Sequence, residues 1–163
     1  MFRNGIGFDA HRFAKGRRLI LGGVEIEHPV GLLGHSDADV LCHAVMDALL
    51  GAIADGDIGK HFPDSDARWK DANSVDLLRL VTERLRSKNW AVVNVDATVL
   101  AESPKLAPHV DNMRANMAEA MGITTERVSI KATTLEGMGA LGRKEGIAVM
   151  AVASVQKVLG GRY

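Results

Sequence analysis

The run Ile147-Ala148-Val149-Met150-Ala151-Val152-Ala153-Ser154-Val155 constrains the fold more than any other stretch, because it is apolar on both sides of a strand. Ile147, Val149, Ala151 and Ala153 line one face at period two, and Ala148, Met150, Val152 and Ser154 on the other are hardly more polar. A strand of this kind has to be covered on both faces. A chain of 163 residues can bury an ordinary core, but it has helices enough for one face of a sheet only. The other face is therefore expected to be covered by subunit association.

The remaining segments fit that architecture. Phe2 to Arg12 alternates as a first strand, with Ile6, Phe8 and Ala10 on one face and Gly7, Asp9 and His11 on the other. Leu19-Ile20-Leu21 and Val24-Glu25-Ile26 flank Gly22-Gly23, a hairpin signature, since paired glycines supply the positive φ of a two-residue turn. Gly34-His35-Ser36-Asp37-Ala38-Asp39 is a polar turn, expected to be mobile, that runs into a helix. Ser36 followed by Asp39 is close to a capping box, so the helix is expected to start there and end near Ala54, about 24 Å on. Its apolar stripe is Val40, Leu41, Ala44, Val45, Ala48, Leu49, Ala52 and Ile53. Asp39, His43 and Asp47 fall at steps of four on another stripe, which puts His43 off the main core face.

Gly59 to Asp66 has no periodicity and reads as a loop. A second helix is expected from a Ser74 cap to about Ser87, with Leu77, Leu78, Val81 and Leu85 inside. Ala91, Val93, Val95, Ala97 and Val99 then alternate with Val92, Asn94, Asp96 and Thr98 as a half-buried strand. Pro104 and Pro108 bound a connector to a third helix, with Val110, Met113, Met117, Ala120 and Met121 inward and Gly122 at its end. Val128 to Thr133 is a further strand, joined to the last by a glycine-rich connector from Glu136 to Gly146. With no internal repeat, residues 1–163 read as one α/β (α+β) domain, a mixed sheet with helices on one face.

Charge excludes two classes of partner. Lys+Arg and Asp+Glu number 20 each, which gives neither a basic nucleic-acid footprint nor a polybasic membrane patch. No apolar run reaches spanning length and no leader pattern precedes the first strand, so a soluble, cytoplasmic protein is expected. The single cysteine, Cys42, cannot pair internally and reads as a packing residue in a reducing compartment.

Three groups of residues have the types that chemistry needs. Asp9 and His11 on one strand face, with His43 on a helix, form a mixed oxygen and nitrogen set that suits Zn²⁺ with a position left open. The same residues also suit a plain reading, with His11 a satisfied imidazole and Asp9 a turn acceptor. Thr133-Thr134-Leu135-Glu136-Gly137 follows a strand and offers hydroxyls for phosphate oxygens and a carboxylate for a hard cation. It is equally a turn that needs glycine for its dihedrals. Ala101-Glu102-Ser103-Pro104-Lys105-Leu106 places one lysine at a strand end, either against a ligand or in solvent.

Together these motifs have a specific resemblance. Asp9-x-His11, His35-Ser36-Asp37-Ala38-Asp39-Val40-x-x-His43-Ala44, Asp57-Ile58-Gly59, Phe62-Pro63-Asp64-Ser65-Asp66, Pro104-Lys105-Leu106 and Lys131-Ala132-Thr133-Thr134-x-Glu136 resemble the 2-C-methyl-D-erythritol 2,4-cyclodiphosphate synthase family, in order, along nearly the whole chain. The resemblance implies a homotrimer with active sites between subunits. It implies action on 4-diphosphocytidyl-2-C-methyl-D-erythritol 2-phosphate, to give the cyclic diphosphate and CMP in non-mevalonate isoprenoid synthesis. Asp9, His11 and His43 then resemble the zinc ligands, and Glu136 the contact to a second cation, Mg²⁺ or Mn²⁺. His35 and Thr134 resemble the catalytic pair that orients the substrate and stabilises the transition state. Asp9, His11, His35, Ser36, Asp57, Ile58, Gly59 and Phe62 to Asp66 resemble substrate contacts on the methylerythritol side. Ala101, Glu102, Ser103, Pro104, Lys105, Leu106, Ala107, Ala132, Thr133, Thr134 and Glu136 resemble those on the cytidine and phosphate side.

On that resemblance, charge for a polyanionic substrate would come locally from metals, from Lys105, and from Lys131 or Arg143. The chain departs from the family pattern at Ala140, where many members carry an aromatic residue, and at Leu135, where a small polar residue is common. Those departures bear on a central trimer cavity that in relatives can hold an isoprenoid diphosphate. Two other functions share the residues: a metal-stabilised binding protein without turnover, and a zinc phosphoesterase using bound hydroxide.

Overall fold

The computed structural model describes residues 1–158, so residues 159–163 of the expected domain lie outside the described residues. In chain order the regular elements are β1 (Phe2–Ala14), β2 (Leu19–Leu21), β3 (Val24–Ile26), β4 (Gly31–Leu32), α1 (Val40–Ala52), α2 (Ile58–His61), α3 (Ser74–Ser87), β5 (Trp90–Leu100), α4 (Val110–Met121), β6 (Val128–Thr133), α5 (Gly139–Gly142) and β7 (Gly146–Lys157). One five-stranded sheet runs β4-β1-β7-β5-β6, with β5 and β6 parallel and the other neighbours antiparallel. The β2–β3 hairpin stands apart from it, turning on Gly22 and Gly23, both at positive φ as paired glycines allow.

α1 lies directly on β1. A Cβ at Gly5 would collide with the carbonyl of Ala48, and one at Gly7 with the carbonyl of Ala44. Only glycine on this strand face lets the helix backbone come so close. α1 is consequently sunk in the protein, with 11 of its 13 residues buried. His43 is among them at 7 % exposure, so the expectation that it lies off the core face is corrected: on the stripe at steps of four, Asp39 and His43 are buried and only Asp47 is half-buried. α3 packs on α1 and α4 on α3, and together they complete one core with Leu78, Val81, Leu85, Met113, Met117 and Met121.

Helix starts differ from the expected caps by a residue or more. Asp39, not Ser36, caps α1 by accepting the amide of Cys42, and Asn73, not Ser74, caps α3 through the amides of Val75 and Asp76. Ser74 becomes the first helical residue and is fully buried. α1 also ends earlier, at Ala52, which makes it about 20 Å long. In β5 a bulge between Val92 and Asn94 adds one residue, so Trp90 and Val92 share the buried face with Val95, Ala97 and Val99 while Val93 turns away. A strict alternation through Val93 therefore fails there. Gly59 to His61 belong to the short α2 rather than to a loop.

The sheet face away from the helices is open. Phe2, Ile6 and Phe8 of β1 are 68, 66 and 58 % exposed, beside Met150 and Val152 of β7 at 46 and 45 %. Ile6 pairs with Val152 and Phe8 with Met150, which makes the patch continuous. Helices therefore cover one face only, and the second face, which the apolar pattern of the last strand marks for covering, is open.

Candidate functional site

β1 carries Asp9 and His11 toward α1 by strand alternation, and α1 presents His43 one turn from its cap. Asp9 Oδ2 lies 2.9 Å from His11 Nε2 and 3.0 Å from His43 Nδ1, and those two nitrogens are 3.2 Å apart. This is a triangle of ligand atoms of the size a small cation needs: a tetrahedral ion with bonds of about 2.0–2.1 Å sets its donors about 3.3 Å apart. The partners on the far side of the ring support it. His11 Nδ1 donates to the carbonyl of Leu33 at 2.6 Å, and a carbonyl only accepts, so Nε2 is left as a bare lone pair in the triangle. Acceptors facing each other this closely repel unless a cation or an added proton stands among them.

With added protons on the imidazoles in place of a cation, the electrostatics describe the alternative state of the triangle. Burial works to raise the Asp9 carboxyl, but hydrogen bonds from His11 and His43 prevail and hold it well below the usual carboxylate range. Burial works to lower His11, yet the hydrogen bond and charge of Asp9 push it above its ordinary value. Asp39 is different: it is fully buried, which raises its carboxyl, as does the charge of Asp37. It accepts the amides of Gly22, Gly23 and Cys42, and so pins the hairpin turn to the start of α1. Asp37 and Asp39 thus support the helix rather than join the ligand set. Cys42 is a buried packing residue whose thiol burial pushes up.

The triangle opens into a cavity of about 360 Å³. Its lining brings together His35, Ser36, Ile58, Gly59, Phe62, Pro63 and Asp64 of the expected residues, with Met46, Trp69 and Leu77, which sequence reasoning missed. Trp69 meets Phe62 edge to face, with ring centroids 5.0 Å apart. Its indole Nε1 and the Nε2 of His35 are buried with no hydrogen-bond partner among the described residues. Both are polar atoms for a ligand to satisfy. The turn that holds His35 is tethered rather than mobile. The His35 carbonyl accepts from the amide of Asp71, the Ser36 carbonyl from Arg17, and the amide of Asp37 donates to Ala72. Ser36 is itself buried and its hydroxyl is spent on His43 and the amide of Ala38.

Asp57, Ser65 and Asp66 lie outside this lining. Asp57 caps α2, and Asp66 caps the turn Ala67–Trp69. The residues expected on the cytidine side are farther away. Thr133 is level with Leu100, Leu100 with Ala148, and Ala148 with Ala10. Three strand spacings of about 4.8 Å put Thr133 about 14 Å across the sheet from the row between Asp9 and His11. There the two cytidine-side segments join: Glu102 accepts the amides of Leu135 and Gly137, and Thr134 donates to Glu136 at 2.8 Å. Glu136 sits at a φ of 51°, a strained value for a residue with a Cβ. Ala101 and Leu106 are core residues, whereas Lys105 and Ala107 are exposed. Arg143 is exposed and pairs with Glu145.

An α+β sheet domain that gathers an aspartate and two histidines at the mouth of a ligand-sized cavity is, as a class, a metal-binding enzyme scaffold. Its relatives give the particular kind. The YgbB family matches residues 2–156. The 2-C-methyl-D-erythritol 2,4-cyclodiphosphate synthase of Salinibacter ruber is 60 % identical over 154 residues, 94 % of this chain and 98 % of that protein. Among solved structures, the bifunctional IspDF of Campylobacter jejuni superposes with a TM-score of 0.93 at 41 % identity, over 96 % of this chain but 42 % of that one. A Plasmodium falciparum IspF in complex with CDP gives a TM-score of 0.84 at 32 % identity, over 97 % of both chains. The chain belongs to the YgbB family of cyclodiphosphate synthases. No helix among the described residues is long and apolar enough to cross a membrane.

Proposed function

We propose that this protein converts 4-diphosphocytidyl-2-C-methyl-D-erythritol 2-phosphate to 2-C-methyl-D-erythritol 2,4-cyclodiphosphate and CMP. An oxygen of the 2-phosphate bonds to the β-phosphorus, the bond from that phosphorus to the bridging oxygen breaks, and CMP leaves with the electron pair. The nucleophile is already an anion, so no strong general base is needed. What the site has to supply is positioning and neutralisation. The observation that carries the reading is the triangle of Asp9, His11 and His43 at the mouth of a cavity, in a chain 60 % identical to a protein of that name.

Asp9, His11 and His43 would hold zinc, and Glu136 would hold Mg²⁺ or Mn²⁺. Bound cations there supply positive charge that orients phosphate oxygens and offsets their repulsion. Around them, Ile58, Gly59, Phe62 and Pro63 form an apolar wall for the methylerythritol carbons, with Asp64 beside them. His35 Nε2 and the Trp69 N–H offer polar contacts to oxygens of the same moiety. Asp57, Ser65 and Asp66 reach the ligand only at the rim of the cavity.

The second half of the site would come from a neighbouring subunit of a homotrimer. The 14 Å of sheet between the triangle and Thr133, estimated from the strand spacing as about three steps, supports this, because one chain does not span it. So does the open face of Phe2, Ile6, Phe8, Met150 and Val152. There Thr134, Glu136, Lys105 and the segment Ala101 to Ala107 would meet the diphosphate and cytidine, with Ala132 and Thr133. Phosphorus NMR of the cytidyl substrate with purified protein tests the reaction. Cyclic diphosphate plus CMP supports it, linear phosphates indicate a hydrolase, and an unchanged spectrum indicates a binding protein.

A further inference from the structure

His43 faces two ways. Its Nδ1 closes the ligand triangle, and its Nε2, on the buried side of the ring, lies 3.0 Å from Ser74 Oγ. Ser74 is the first residue of α3 and has no exposed surface. Its hydroxyl has one proton, and that proton is committed: it goes to Asp37 Oδ1, since a carboxylate only accepts. The Ser74 oxygen is thereby left as an acceptor, so the atom it faces, His43 Nε2, has to donate. A neutral imidazole with Nε2–H has its lone pair on Nδ1, the atom aimed at Asp9 and His11.

Asp37 is itself fixed from several directions. The Ser74 amide donates to its Oδ2 at 3.0 Å and the Asp39 amide to its Oδ1 at 3.1 Å, while its own amide holds the carbonyl of Ala72. The Ser74 amide is one of the unpaired donors at the start of a helix, and Asp37 satisfies it. Ser36 Oγ, 3.2 Å from His43 Nε2, already accepts the amide of Ala38 and completes the pocket around the ring.

We propose that Ser74, locked by Asp37, is the positioning residue of the metal centre: it sets the tautomer and orientation of His43 so that Nδ1 is presented bare. This rests on the reading of Asp9, His11 and His43 as a metal centre. A purely structural serine would satisfy α3 and leave metal affinity unchanged. The two roles separate in metal-free protein reloaded with Zn²⁺ alone, by chelator competition. Ser74→Ala is expected to weaken zinc binding by about 10- to 100-fold, the usual cost of losing such a partner. Asp37→Asn keeps the shape but frees the Ser74 proton to turn toward His43, and is expected to weaken zinc binding as well.

Nitrogen-15 NMR of the His43 ring in metal-free protein reads the Ser74 partner directly, with Nε2 protonated in the wild type whether or not Nδ1 also carries the proton that Asp9 attracts, and the neutral Nδ1–H tautomer with a bare Nε2 gained in both variants. Zinc affinity within about twofold of wild type in a folded variant, with an unshifted tautomer, would overturn the relay. If Ser74→Ala does not fold, Asp37→Asn decides. A wild-type protein that binds no zinc overturns the metal centre itself, which is a different failure.

Discussion

The triangle of Asp9, His11 and His43 has a partner behind each imidazole, the Leu33 carbonyl for His11 and the buried Ser74 hydroxyl for His43, whereas Thr134 and Glu136 are exposed and hydrogen-bond chiefly to each other. The first group sits between a strand and a helix in backbone contact. The second rides on a turn whose anchor is Glu102. The contrast teaches where each half of the proposed site gets its rigidity. One half is held within the chain, and under the proposed assembly the other would be completed by the surface it meets.

The most damaging change should strike the half held within the chain. His43→Ala is expected to abolish tight zinc binding and reduce turnover on the order of 10³-fold or more. Because His43 is buried and bonded to Ser74, the same change is also expected to cost about 1–3 kcal/mol of stability, measured by urea unfolding. An unaltered metal content would sink the ligand assignment.

Complementation probes the division itself. Asp9→Ala spoils the triangle and Glu136→Ala the far turn, and each alone should be inactive. Mixed by co-refolding, they are expected to regain activity at about one site in four, since random assembly puts the two intact halves together that often. Continued silence would mean that both halves act within one chain.

The open face offers a subtler break. Ile6→Lys places a charge opposite Val152, where the chain alone tolerates it because Ile6 is already exposed. Association should weaken on the order of 10²-fold or more, seen by sedimentation, with circular dichroism unchanged and activity falling in step. Activity in a stable monomer would contradict a site shared between chains.

The smallest effect lies away from both halves. Asp55 is buried against Arg84 and Lys88, and the Arg84 guanidinium, with Lys88, holds its carboxyl well below the usual carboxylate range. Both cations are 42 % exposed, so solvent screening limits the gain. Asp55→Asn is expected to cost about 1 kcal/mol at neutral pH. A depressed pKa stabilises above the unfolded value and loses that contribution as pH falls. The difference between wild type and variant in thermal melts should therefore shrink below about pH 4. A difference that grew in acid would overturn the assignment.

Much of this was legible from residue spacing. Period two put Asp9 and His11 on one face, paired glycines marked the hairpin, and Gly122 at a left-handed φ ended α4 as glycine does. Other features depend on contacts between distant segments. Ser74 and Asp37 are 37 residues apart, and nothing local ties a helix-start serine to a histidine on another helix. Trp69 enters the cavity because its segment returns to the His35–Asp37 turn, where Asp71 and Ala72 bond to it, and an aromatic in a polar segment gives no hint of that. The bulge in β5 was invisible because Val92 and Val93 serve an alternating pattern equally well, so one inserted residue leaves no mark in the sequence. His43 was misjudged for the opposite reason, since a helical wheel cannot tell a half-buried helix from one buried nearly all round.

The glycines of β1 have one further consequence. With Gly5 and Gly7 against the carbonyls of Ala48 and Ala44, strand and helix touch backbone to backbone, with no side chain between them to compress or rotate. Asp9 and His11 stand on one jaw and His43 on the other, so the span of the jaws is set by main-chain contact. Such a calliper cannot widen to suit an ion with bonds of about 2.3–2.6 Å and six or more oxygens. Size selection at this centre is then a property of two residues that have no side chains at all.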